Sequence, residues 1–266
     1  MNKTECLYII LFLSLIPSGC LSESRKGKQV YCRVEKLIIA ERYNRYIHMQ
    51  YNDYGISSIR ENIEKSDIFR NHSFTYTNGI MDRIDIVPAG TTMVFFYDDK
   101  SRLRRIGGQK NALPSVFYYN RKGHIVTQKI FFNKRPYQIM RYKYKKNLPV
   151  LCEVYDANEK LQMTHFFAYD NKNNPFRALG PMINLMEALY GYPPGNAPNN
   201  ITSVKTLFYD SLEKVIKQTT QYYSYHYNPY NYPERINNKI QLFYECIDNQ
   251  HRLVHKHYHF DDYVDE

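Results

Sequence analysis

Three groups of residues have the types and spacing for chemistry. Cys20 follows Pro17-Ser18-Gly19, and small residues directly before a cysteine suit a bacterial lipoprotein signal peptidase, which leaves lipid on the sulfur. His251, His255, His257 and His259 crowd the C-terminal end. On a strand, His255, His257 and His259 project from one face, and imidazoles at that spacing can share a metal ion. The same spacing also describes the polar face of a terminal strand whose Val254, Tyr258 and Phe260 turn inward. Arg141, Lys143 and Lys145 alternate with Met140, Tyr142 and Tyr144, a basic strand face that suits an anionic ligand.

The usual enzymatic signatures are missing from the sequence. It holds no Gly-x-Ser-x-Gly elbow, no P-loop, no dinucleotide fingerprint and no Cys-x-x-Cys pair. The expectation is a non-enzymatic protein that needs no cofactor.

The elements that must carry these groups begin with an export signal. Leu7 to Ile16 is an almost unbroken apolar run, too short to span a bilayer and suited to a signal-peptide core. Residues 1–19 are therefore read as a signal peptide. Residues 20–29 are polar and aperiodic, and are read as a lipidated tether. Residues 30–266 are read as a single β-rich domain.

Within 266 residues there are 27 Tyr and 14 Phe but no Trp, a composition that favours pleated surfaces. One unit recurs: Tyr, then a polar turn, then an aliphatic residue six positions on. It occurs as Tyr97-Asp98 with Leu103, Tyr119-Asn120 with Ile125, Tyr155-Asp156 with Leu161, and Tyr209-Asp210 with Val215. Tyr144 to Val150 repeats the spacing without Asp, and Tyr51-Asn52-Asp53-Tyr54-Gly55-Ile56 is a shorter form. Asp, Asn and Gly supply side-chain-to-backbone hydrogen bonds and tolerate positive φ, so these are hairpin turns. The expected fold is mostly β, a large twisted antiparallel meander of hairpins.

One segment departs from the pattern. Met182, Leu185, Met186 and Leu189 fall at helical spacing, with Pro181 at the start and Gly191 at the end. This predicts one short helix packed on the sheet, followed by a Pro-rich loop. Cys32, Cys152 and Cys246 allow at most one disulfide, and the reading preferred from sequence is three small buried hydrophobes.

The Tyr-Asp turns resemble the YD repeat. More narrowly, Tyr169-Asp170-Asn171-Lys172-Asn173-Asn174-Pro175-Phe176 and Asn199-Asn200-Ile201 resemble an uncharacterised YD-repeat-like lipoprotein family of Gram-negative gut bacteria. The resemblance spans roughly residues 46–260. It implies a β-rich, envelope-attached protein and supplies no catalytic residues.

Together these features predict a lipid-anchored cell-envelope protein, an outer-membrane lipoprotein facing the periplasm or the surface. Its expected role is a non-enzymatic binding or interaction module. A secreted glycan-acting hydrolase and a carrier of an apolar ligand are the alternatives. The net charge of +10 points to anionic partners. For an exported chain these are an anionic glycan, lipopolysaccharide or the membrane reached through the anchor, and not nucleic acid.

Overall fold

The computed structural model describes residues 30–40, 44–66, 69–108, 114–176, 197–248 and 253–256. They form antiparallel β-strands. The first nine are β1 (Val30–Ile39), β2 (Arg45–Asn52), β3 (Gly55–Ile63), β4 (Phe69–Thr77), β5 (Ile80–Val87), β6 (Thr91–Tyr97), β7 (Leu103–Gly108), β8 (Ser115–Tyr119) and β9 (Ile125–Phe132). The rest are β10 (Arg135–Lys145), β11 (Leu148–Asp156), β12 (Leu161–Asn173), β13 (Asn199–Tyr209), β14 (Val215–Tyr222), β15 (Tyr225–Tyr227), β16 (Pro233–Ile236), β17 (Ile240–Asp248) and β18 (Leu253–Lys256). The expected meander is therefore present. The helix expected over residues 181–191 lies outside the described residues, which contain no α-helix.

From β1 to β14 each strand pairs with the next. The meander then returns to its start, because β17 pairs with β1 along its length, Val30 opposite Asp248 and Ile39 opposite Ile240. The other edge of β17 is shared by β16 and β18. The β15–β16 hairpin also reaches the far side of the meander. Asn173 donates its amide to the Asn231 carbonyl at 3.0 Å, and the Tyr225 hydroxyl donates to the Ile201 carbonyl at 2.6 Å. One end of the sheet is thus a closed circuit running from β17 through β1 to β13 and back through β15 and β16. Strand β14 hangs on β13 outside that circuit, and all eight of its residues are exposed.

Two turn chemistries recur among the hairpins. The first uses Asp or Asn as the pivot. Oδ1 of Asp98, Asn120, Asp156, Asp210 and Asn228 each accepts two backbone amides, from the residues two and four positions on. Three positions after each pivot the backbone enters positive φ, at Ser101, Gly123, Glu159, Glu213 and Asn231. The second is the two-residue turn with both φ positive, at Asn78-Gly79, Asn133-Lys134 and Lys146-Asn147, whose twist matches that of the flanking strands.

The aliphatic residue six positions after the Tyr now has a physical reason. Tyr97 lies opposite Leu103 and Tyr119 opposite Ile125, and both aliphatic side chains are buried. The next strand starts its backbone ladder two residues further in, at Arg105 for β8 and at Ser58 for β4. The carbonyl left over is taken by a tyrosine of that next strand. Tyr51 caps Val34, Tyr76 caps Ile56, Tyr97 caps Met81, Tyr119 caps Leu103 and Tyr169 caps Pro149, all at 2.6–2.8 Å. A buried carbonyl without a donor is costly, so each tyrosine both fills the core and satisfies the preceding hairpin. Burial raises the phenol pKa of Tyr51, Tyr97, Tyr119 and Tyr169, which keeps them as donors, and pushes Tyr76 up to about 12.

The core follows the strand alternation. One apolar cluster runs through β1 to β8 and on to Ile201, Val204, Ile236, Leu242 and Tyr244. A smaller one joins Ile130, Met140, Cys152 and Val154. Cys32 and Cys246 are directly opposed on β1 and β17 and form a disulfide, while Cys152 lies buried outside it. This corrects the sequence reading of three unpaired cysteines. Spacing could not reveal it, because the partners lie 214 residues apart and meet only when the sheet returns on itself.

Candidate functional site

The basic face predicted on β10 is present but largely neutralised. Arg141 donates to Glu159 at 2.7 Å and stacks over Tyr155 at 4.5 Å. Lys143 meets Glu153 at 3.0 Å. Lys145 is exposed beside the turn into β11.

Uncompensated charge sits three strands away, on β7. Arg141 lies opposite Thr127, which lies opposite Tyr118. The Arg104 guanidinium stacks over the Tyr118 ring at 4.8 Å and donates to the Phe117 carbonyl at 2.7 Å. Arg105 lies over the Phe96 ring at 4.7 Å. Among the described residues neither arginine has a carboxylate partner, and Arg104, Arg105, Phe96 and Tyr118 are exposed. Gly107 makes room for this stack, since a Cβ there would lie 3.2 Å from the Phe96 ring and 3.6 Å from Arg105 Nη2. Aromatic faces fix the guanidinium planes while leaving their donors available. Arg102, by contrast, is bound to Asp98 at 2.7 Å. Burial raises the Asp98 carboxyl pKa, but the Arg102 guanidinium and the amides of Arg102 and Lys100 outweigh it and hold the carboxyl below its usual range.

The Tyr-Asp-x-Lys-x-Asn-Pro-Phe element proves to be a clasp. Asp170 Oδ1 accepts the amides of Lys172 and Asn200, at 2.9 and 3.0 Å. Its Oδ2 accepts the side chains of Asn200 and Tyr227. Lys172 Nζ donates to Asn231 Oδ1 at 2.7 Å, and Asn173 Nδ2 donates to the Tyr230 carbonyl at 3.1 Å. Asn174 Nδ2 reaches the Ala197 carbonyl at 3.0 Å. These bonds join β12, the start of β13 and the β15–β16 hairpin. The element thus closes the circuit, which accounts for its Asn and Asp content without any catalytic step.

The other candidates divide. His255 sits on β18 opposite Cys246, and His257 and His259 lie outside the described residues, as does Cys20. Among the described residues no three His, Cys, Asp or Glu side chains gather as a metal set. A groove of about 490 Å³, open to solvent, is lined by His226, Glu234, Arg235, Gln241 and Leu242. It presents one carboxylate where glycoside hydrolysis uses two. Sequence reasoning missed Asn228 as a fifth pivot, although Tyr227-Asn228 repeats the Tyr119-Asn120 dipeptide.

Compared with known protein families and with curated proteins, the chain matches none. Among solved structures it is similar to a porin-like protein from Bacteroides uniformis ATCC 8492, with a TM-score of 0.49 and 16% identity over 82% of this chain and 93% of that one. It is also similar to a chain of the TcdB2-TccC3-Cdc42 structure, with a TM-score of 0.23 and 11% identity over 84% of this chain and 14% of that one. A chain of the Photorhabdus luminescens Tc holotoxin pore with the TccC3-D651A mutation gives 0.22 and 11% over the same shares.

Proposed function

We propose that the protein is exported, anchored to the cell envelope through lipid on Cys20, and binds anionic glycan or lipid headgroups without chemical turnover. The observation that carries the binding role is the pair Arg104 and Arg105, held over Tyr118 and Phe96 with no carboxylate beside them. Guanidinium groups fixed in this way offer bidentate donors to phosphate or carboxylate. Lys129, half-buried on β9 and opposite Val116, which in turn lies opposite Arg105, extends the same basic face. Export is supported by the apolar run before Ser18-Gly19-Cys20 and by the Cys32–Cys246 disulfide, since such bonds persist in oxidising compartments.

Two substitution sets test the reading. Cys20→Ala is expected to move the protein from the membrane to the soluble fraction and to remove the lipid mass; unchanged fractionation refutes the anchor. Arg104→Glu with Arg105→Glu is expected to abolish retention on immobilised lipopolysaccharide at low salt. Reversing Arg25 and Lys26 in the tether is expected to leave most of it. Equal losses from both sets mean diffuse charge and no site.

A further inference from the structure

Strand β14 reads Val215-Ile216-Lys217-Gln218-Thr219-Thr220-Gln221-Tyr222 and is exposed on both faces, with Ile216 at 66% and Tyr222 at 74%. Among the described residues its only ladder is with β13. Long exposed edges are usually blunted by proline, by inward-pointing charge or by shortness. This edge has no proline and one lysine, whereas β15, β16 and β18 on the other side of the sheet have three or four residues each.

The hydrogen-bond phase shows which groups are free. Tyr223 donates its amide to the Thr202 carbonyl at 2.9 Å, and Gln221, Thr219 and Lys217 follow in the same phase along β13. Backbone groups alternate sides in an antiparallel ladder. The amides and carbonyls of Gln218 and Thr220 therefore point away from β13, as does the Tyr222 amide. The Tyr222 carbonyl receives a long bond, 3.5 Å, from Asn237 Nδ2.

We infer that β14 pairs antiparallel with β14 of a second copy, about a twofold axis at Thr219. Outward-pointing residues must meet outward-pointing residues, so the axis falls on a residue and not between two. With the axis at Thr219, Gln218 pairs with Thr220 of the other copy, and Ile216 lies opposite Tyr222. The two most exposed apolar side chains of the strand then cover each other at both ends. Lys217 faces Gln221. With the axis at Gln218, Tyr222 faces Lys214 and Ile216 faces Thr220. With the axis at Lys217, two like charges stand opposed. Of these three registers, that at Thr219 alone joins apolar to apolar and separates the lysines. The pairing extends the sheet of one copy into that of the other, and it is isologous, as a closed dimer requires.

Single cysteines introduced into the full-length protein in the bacterial envelope, oxidised and run without reductant, test this. At the axis the two copies of residue 219 are directly opposed, as Cys32 and Cys246 are within one chain. Thr219→Cys is expected to give a dimer band well above that of the parent protein, and Gln218→Cys and Thr220→Cys are expected to give little. No dimer from Thr219→Cys, or a stronger one from either neighbour, overturns the proposal. Gln218→Pro added to Thr219→Cys removes an outward amide and leaves the β13 ladder intact. It is expected to return the cross-link to parental level with unchanged thermal unfolding, and a persisting cross-link overturns the pairing.

Discussion

The hydroxyl of Tyr119 donates to the carbonyl of Leu103 at 2.7 Å, and Leu103 is itself the residue opposite Tyr97, the tyrosine of the preceding hairpin. Each hairpin is thus capped by its successor, and stability passes along the meander. Tyr119→Phe keeps the ring and removes the donor, leaving a buried carbonyl unpaired. Denaturant unfolding is expected to show a loss of about 1–2 kcal/mol. A change within error would mean that water or another group satisfies Leu103.

The pivots discriminate between Asn and Val. Asp210 Oδ1 holds the amides of Leu212 and Lys214, each at 2.9 Å. Asp210→Val is expected to cost roughly 0.5–2 kcal/mol. Asp210→Asn is expected to cost little, because Asn120 and Asn228 make the same pair of bonds in their own turns. Equal losses from both variants would show that charge, not hydrogen bonding, fixes the turn.

Acid is expected to loosen the core through His72 and His165. Burial lowers both imidazoles to about 4. An unfolded histidine titrates near 6.5, so the unfolded chain takes up protons first as pH falls. The stability held by neutral histidine is complete above about pH 6.5, declines between 6.5 and 4, and changes no further below that. For His72, which has no exposed surface, the loss is about 3 kcal/mol. The His72→Leu variant is expected to unfold with a shallower pH slope across this window, and an identical slope would clear His72.

Breaking the Cys32–Cys246 bond is expected to cost about 2–5 kcal/mol, since it closes a loop of 214 residues. The paired Ser variant and the reduced parent protein are expected to melt at the same lowered temperature. An unshifted transition would show that the β1–β17 ladder alone sets the closure.

The hairpins were legible in the sequence because their signals are local. An Asp or Asn pivot and the residue in positive φ lie within a few positions of each other, and the Tyr-to-aliphatic spacing is the cross-strand register itself. What stayed hidden depends on distant partners. The spacing of Cys32 and Cys246 says nothing of a sheet that returns to its first strand. Arg141 and Lys143 alternate correctly on β10, yet Glu159 and Glu153 arrive on the far side of a hairpin and take up their charge. Arg104 and Arg105 are adjacent in the sequence, but their lack of a carboxylate among the described residues is a property of the neighbouring strands.

The pairing of β1 with β17 also sets an order of events for a chain synthesised from its N-terminus. Strand β1 emerges first and finds β2 at once, but its second edge must wait for a strand that emerges nearly last. Contacts of such sequence separation form slowly. Until then β1 keeps an open edge and Cys32 has no thiol to pair with. Completion of the bond therefore reports that the chain has been made as far as β17, and a product truncated before β17 leaves Cys32 without its partner.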